Sequence, residues 1–161
     1  GMNLSPNVEI ILTGGEVYGR KQSMVGDIAT QIISKITATK CFIGVSGINA
    51  NTGISTSVLQ ETTVNMKMLE NCNGPTFVLA DNSKIGIHHN FSSGDISKVN
   101  YVITNEIEDD KSELEKLKEK GVKIITITKD ANCPTDTPVS PNAIKEPTKL
   151  NEKPTIHAKP N

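Results

Sequence analysis

In Phe77-Val78-Leu79-Ala80-Asp81-Asn82-Ser83-Lys84-Ile85-Gly86 a buried-type strand runs straight into a polar turn. The first four residues are a short apolar run of the kind found inside a parallel sheet. Asp81 and Lys84 follow, three residues apart, where the strand meets the loop. The carboxyl end of such a strand is where open α/β sheets place their ligands. Asp81 and Lys84 are therefore candidates to face one crevice and hold a polar, anionic small molecule. The alternative is a surface ion pair that closes a turn.

Outward from this stretch, strands and helices alternate. Val8-Glu9-Ile10-Ile11-Leu12 reads as a strand stopped by Thr13-Gly14-Gly15. Met24, Ile28, Ala29, Ile32, Ile33 and Ile36 recur at helical spacing and predict a helix over 24–36. Cys41-Phe42-Ile43-Gly44-Val45 is the next strand, and the Gly- and Asn-rich residues 46–53 read as a loop. A second helix is expected over 55–71, ending before the turn Asn73-Gly74-Pro75. After the strand at 77–80 comes a long polar loop through His88 and His89, then a strand at Tyr101-Val102-Ile103-Thr104. A charged helix over 110–120 turns Leu114 and Leu117 inward and stops at Gly121, and 122–127 is the last strand. The alternation implies an α/β fold with a mostly parallel, layered sheet.

Composition limits the functions open to such a domain. The chain has 161 residues, 35% of them hydrophobic, enough for one domain with a core built on Ile, Val, Leu and Met, since aromatic content is only 3%. The formal net charge of −1 and scattered Lys and Arg leave no basic stripe for a nucleic-acid backbone. Cys41, Cys72 and Cys133 match no zinc spacing and suggest reduced thiols in a cytoplasmic protein. No apolar run approaches the length of a membrane span, no signal peptide is recognisable, and Gly1-Met2 reads as the scar of a cleaved tag. Residues 1–7 are thus taken as leader, 8–129 as the folded domain, and 130–161, punctuated by Pro134, Pro138, Pro141, Pro147, Pro154 and Pro160, as an extended tail.

Three loops at strand ends gather polar and glycine residues: Thr13-Gly14-Gly15, Ser46-Gly47-Ile48-Asn49 continuing to Thr52-Gly53, and Asp81 to Lys84. Glycine lets backbone N–H groups approach an anion closely, or it simply makes a turn. Glu61, early in the second helix, is a candidate to lean over the same edge; otherwise it is a solvated helix-face carboxylate. The adjacent His88 and His89 point to opposite sides of an extended loop with no further ligand at useful spacing, so no metal site and no cofactor is expected.

The ordered set Leu12-Thr13-Gly14-Gly15, Met24-Val25-Gly26, Phe42-Ile43-Gly44-Val45-Ser46-Gly47-Ile48, Gly53-Ile54-Ser55 and Leu79-Ala80-Asp81-Asn82-Ser83-Lys84 resembles the effector-binding domain of DeoR-type bacterial regulators of sugar metabolism. The resemblance covers about residues 8–128. It implies a fold similar to ribose-5-phosphate isomerase and the glucosamine-6-phosphate deaminases, a phosphorylated sugar as ligand, and a homo-oligomer. Family members begin with a winged helix-turn-helix and a Ser-Gly-Thr-Thr-like phosphate loop. Neither is recognisable here, so the chain is expected to be an N-terminally truncated sensor that does not itself bind DNA. Ligand-binding residues implied together are Gly14, Gly15, Gly47, Asn49, Gly53, Glu61, Asp81 and Lys84, with Asp81 accepting from sugar hydroxyls and Lys84 pairing with phosphate.

The same resemblance raises a catalytic alternative. A sugar-phosphate isomerase needs a carboxylate base and donors for the enediolate. Glu61 looks like the isomerase base, and Asp81 with Lys84 looks like its Asp-x-x-Lys, but the acidic loop is replaced by Ser46-Gly47-Ile48-Asn49, where Asn49 cannot ionise. Losing carboxylates while keeping pocket glycines fits a binding protein, so no catalytic residue is assigned. A third reading is an assembly module whose uncovered sheet edge and face self-associate.

Overall fold

The apolar runs at residues 41–44, 76–79, 101–105 and 123–127 come together as one parallel sheet. In the computed structural model, residues 7–19, 23–107 and 111–128 are described. The chain divides into a unit Gly1–Thr128 and a second unit Lys129–Asn161, and the described residues all fall in the first. The predicted extended tail therefore lies outside the described residues.

Chain order begins with a hairpin of β1 (Glu16–Tyr18) and β2 (Ser23–Val25), followed by α1 (Asp27–Ile33) and β3 (Cys41–Gly44). β4 (Gly47–Asn49) and β5 (Gly53–Thr56) lead into α2 (Leu59–Glu70) and β6 (Thr76–Leu79). A 3₁₀ turn at Asn82–Lys84 precedes β7 (Phe91–Gly94), and β8 (Tyr101–Asn105), α3 (Ser112–Glu119) and β9 (Lys123–Ile127) complete the unit. The parallel sheet has the order β3-β6-β8-β9; β4, β5 and β7 form a separate antiparallel sheet in the order β4-β5-β7. The fold is mixed α/β, with its parallel strands where the alternation predicted them.

Alternation within the strands decides what is buried. Cys41 and Ile43, Val78, and Val102 face inward and join Ile48 and Ile54 of the antiparallel sheet, Leu69 of α2 and Leu114 and Leu117 of α3 in one core. The opposite face of the parallel sheet carries a row set by register, Phe42 beside Phe77 beside Tyr101, with ring centroids 4.6 Å apart at each step and the Lys123 ammonium 5.5 Å from the Tyr101 ring centre. Phe42, at the end of this row, remains 52% exposed.

Five expectations are corrected. Val8–Leu12 is not a strand: it forms no ladder among the described residues, and Val8, Ile10, Ile11 and Leu12 are 54%, 44%, 65% and 67% exposed. Apolar alternation signals what a segment can bury, but a strand also needs a neighbour for its backbone groups. The predicted first helix is shorter, because Met24 belongs to β2 and the helix begins only at Asp27. Residues 46–53 are not a loop but most of a β-hairpin, in which Ile48 and Ile54 lie opposite one another, both fully buried. Residues 55–56 belong to β5 and not to α2, and the polar stretch beyond His89 supplies β7, paired with β5. Isolated isoleucines between glycines, asparagines and serines look loop-like in sequence; the second sheet becomes visible only once its strands face each other.

Candidate functional site

The carboxyl ends of β3 and β6 open onto a cleft of about 680 Å³. β2 contributes Ser23, Met24 and Val25, the end of β3 contributes Ile43 and Gly44, and α2 contributes Glu61, Val64, Asn65 and Met68. Thr13, Ser46 and Leu79 complete much of the wall, and Lys84 reaches it from the 3₁₀ turn. Most of the wall is apolar and its charged residues are Glu61 and Lys84. A cleft of this size with few polar groups is the usual form of a small-molecule site.

Glu61 sits in the first turn of α2, where a carboxylate is favoured by the helix dipole. The Ser23 hydroxyl donates to its Oε1 at 3.0 Å, and the Thr56 hydroxyl donates to its Oε2 at 3.4 Å. Thr56 Oγ1 in turn accepts from the Val58 N–H at 3.1 Å, so the end of β5 and the start of α2 hold the carboxylate from below. Neither Ser23 nor Thr56 was singled out in the sequence. Both are common surface residue types, and only the β1–β2 hairpin and β5 bring them to Glu61.

Asp81 and Lys84 divide their labour. Asp81 caps the 3₁₀ turn, accepting from the Ser83 N–H at 2.9 Å and from the Ser83 hydroxyl at 2.5 Å. The Ser83 hydroxyl, its N–H and the nearby Lys84 together hold the Asp81 carboxyl below its usual range. Lys84 Nζ lies 3.0 Å from Ser83 Oγ and 3.8 Å from Asp81 Oδ2, and it lines the cleft. Asp81, with 57% of its side chain exposed, closes the turn and is not among the cleft walls. The acid therefore sets the conformation that aims the cation.

The remaining predicted residues occupy the frame. Asn49 Oδ1 accepts from Asn51 N–H at 2.9 Å and Thr52 N–H at 3.3 Å, and its amide donates to the Gly86 carbonyl at 3.3 Å. This side chain builds the β4–β5 turn. Gly53 completes it at φ +77°, with the Gly94 carbonyl where a Cβ would stand. A Cβ on Gly47 would lie 2.5 Å from the Ile87 carbonyl oxygen. Gly14 and Gly15 adjoin Thr13 of the cleft wall; Gly15 has φ +94° and packs against the Val25 carbonyl and Ala29. Of the eight candidates, Glu61 and Lys84 line the cleft; Gly47 and Asn49 belong to β4 and Gly53 to β5, Gly14 and Gly15 precede β1, and Asp81 caps the 3₁₀ turn.

Elsewhere, the His89 N–H donates to Ser55 Oγ at 3.0 Å, and no group of three potential metal ligands is gathered among the described residues. Cys41 is buried, which pushes its thiol up to about 11, with a smaller push from Cys72; both cysteines are free. No helix among the described residues is long and apolar enough to cross a membrane.

Comparison with known proteins converges on one family. The family profile described as the DeoR C-terminal sensor domain matches residues 2–106. A protein of Escherichia coli O157:H7, by its name a transcriptional repressor of the aga operon, is 30% identical over 134 residues, covering 79% of this chain and 49% of the relative. The HTH-type transcriptional regulator GolR of Listeria innocua serovar 6a is 26% identical over 101 residues, covering 63% of this chain and 39% of the relative. The chain thus spans half or less of the length of these curated relatives. It belongs to the family of DeoR C-terminal sensor domains of transcriptional regulators.

Proposed function

We propose that this domain binds a phosphorylated sugar in the 680 Å³ cleft and acts as the effector-sensing part of a DeoR-type regulator of carbohydrate metabolism in the cytoplasm. The observation that carries the reading is the polar pair on an otherwise mostly apolar wall: Glu61, fixed by Ser23 and Thr56, and Lys84, set by the Asp81-capped turn. A lysine ammonium is a point charge suited to a phosphate, and an ionised, oriented carboxylate accepts from sugar hydroxyls. DNA would be engaged by a helix-turn-helix domain of the kind named in the Listeria relative. Ligand binding would then shift the population between operator-bound and released forms through its differential affinity for them. A core fold similar to the ribose-5-phosphate isomerases and glucosamine-6-phosphate deaminases is part of this proposal.

An isomerase-like activity is less well supported. Asn49, at the place of an acidic residue in the isomerase loop, is a neutral amide committed to the β4–β5 turn. Calorimetric titration against a panel of sugar phosphates tests the sensor reading. One ligand that binds the native chain and loses at least tenfold in affinity in both Lys84→Ala and Glu61→Gln supports it. Equal affinity in the variants, or no binding by a cooperatively folded chain, overturns it; turnover of the bound sugar phosphate would establish the catalytic alternative.

A further inference from the structure

Lys84, the cation of the cleft wall, is carried on the turn 82–86 that follows β6. A lysine stem is flexible, so the position of its ammonium depends first on how firmly its backbone is held.

Two side chains distant in sequence hold that turn, one from each end. Asn105, the last residue of β8, accepts the Asn82 N–H on its Oδ1 at 2.7 Å. Within the turn, the Lys84 N–H donates to the Asp81 carbonyl at 2.9 Å and the Ile85 N–H to the Asn82 carbonyl at 3.3 Å. The direction set at Asn82 is thereby carried to Lys84. At the far end, the Gly86 N–H donates to the Ile48 carbonyl at 2.8 Å, and the Gly86 carbonyl accepts from the Asn49 amide at 3.3 Å. Both partners belong to the β4–β5 hairpin, and Glu113 of α3 fixes that hairpin: its Oε1 accepts the Ala50 N–H at 2.7 Å.

The Glu113 stem also covers Gly86, since a Cβ built on that glycine would lie 3.6 Å from Glu113 Cγ. Its other oxygen, Oε2, reaches the Lys116 ammonium at 3.3 Å, yet the side chain is only 15% exposed. A carboxylate seated this deeply, with one oxygen committed to the backbone of another element, does more than pair with a lysine of its own helix.

We propose that Asn105 and Glu113 are positioning residues of the cleft, clamping the 82–86 turn at its two ends and keeping the Lys84 ammonium on the cleft wall. Neither side chain is itself part of that wall. Each acts through the backbone that carries Lys84. The consequence is preference for a ligand with an anionic group, and this consequence rests on the phosphorylated-sugar reading above. The placement of Lys84 does not.

Reductive methylation of the full chain with 13C-formaldehyde puts a reporter on each lysine Nζ, and loss of one signal in Lys84→Arg identifies Lys84. Its resonance in the native chain is expected to stand apart from those of the exposed lysines. Glu113→Ala and Asn105→Ala are each expected to move it among them. Glu113→Gln, which keeps an Oε1 acceptor for the Ala50 N–H, is expected to leave it in place. Circular dichroism and melting check that each variant is folded; Asn105 is exposed, so its truncation leaves the core intact even if Glu113→Ala does not fold. A Lys84 signal unmoved in either folded alanine variant overturns the clamp, whatever stability is lost. A native signal among the exposed lysines, or a Glu113→Gln signal like that of Glu113→Ala, overturns it equally. Inorganic phosphate then reads the consequence: half-saturation of the Lys84 shift should rise on the order of fivefold in the alanine variants and stay near the native value in Glu113→Gln. Equal half-saturation in every variant overturns the anion preference. A native Lys84 signal that ignores phosphate counts against the phosphorylated-sugar reading, while the clamp stands or falls on the phosphate-free spectra.

Discussion

Ser23 on β2 donates to Glu61 at the head of α2 across 3.0 Å, although 38 residues separate them. This bond ties the N-terminal hairpin to the cleft and fixes the direction of its carboxylate. Ser23→Ala leaves one Glu61 oxygen without that donor. The expected cost is about 1 kcal/mol of stability, read by urea denaturation, with a parallel loss of sugar-phosphate affinity. Unchanged affinity would show that the Ser23 contact does not orient Glu61 for the ligand.

At the β4–β5 turn, Gly53→Ala puts a Cβ against the Gly94 carbonyl at a residue with φ +77°. Backbone strain of this kind costs about 1–3 kcal/mol, so the melting temperature should fall clearly. Gly44→Ala is the contrast. No atom lies within 4 Å of its would-be Cβ, and its effect on stability should stay within about 0.5 kcal/mol.

Ile48 and Ile54 face each other across the same hairpin, both fully buried. Either Ile→Ala change leaves a cavity in the core and should cost about 2–5 kcal/mol. Ile28→Ala, at a position 62% exposed on α1, should be near neutral. Equal losses at all three sites in denaturant titrations would contradict the burial pattern.

The Asp81 carboxyl is held below its usual value of 3.8, first by the Ser83 hydroxyl and also by the Ser83 N–H and Lys84. Because its folded pKa is depressed, its contribution to stability is present above the unfolded value and is lost as pH falls through the folded one. Ser83→Ala removes the largest cause. The acid limb of the stability-versus-pH curve should become shallower below about pH 4, because the variant loses stability at neutral pH, where the contribution is present, and little at strongly acid pH, where Asp81 is protonated in both states.

Cys41 has the opposite sign. Burial raises its thiol from 9.0 to about 11, so its contribution is intact below pH 9 and is lost as pH rises through the folded value. At pH 8, alkylation followed by mass spectrometry should label Cys72 faster than Cys41, because the thiolate is the reactive form. Equal rates in the folded chain would mean that Cys41 is not buried.

The strands that form the parallel sheet were legible because continuous or near-continuous apolar runs, such as Cys41–Val45 and Val122–Ile127, need no partner to be recognised. The inward leucines of α3 were legible for a similar reason: Leu114 and Leu117 stand out of a charged helix. The second sheet was not, because β4, β5 and β7 are short and rich in glycine and serine, and their burial comes from facing one another. Val8–Leu12 shows the converse, an apolar run whose pairing partner is not supplied within the described fold.

The candidate site divides along the same line. Glu61, Asp81 and Lys84 could be singled out because charged residues near strand ends and helix starts are visible in sequence. Their roles could not. An Asp-x-x-Lys spacing is compatible with a shared ligand or with a closed turn; the Ser83 contacts assign Asp81 to the turn and leave Lys84 on the cleft wall. Local periodicity and apolar runs sufficed for the α/β class, since they depend on neighbours along the chain. The second sheet and the support of Glu61 by Ser23 and Thr56 were decided by tertiary structure, because each depends on residues distant in sequence meeting across space.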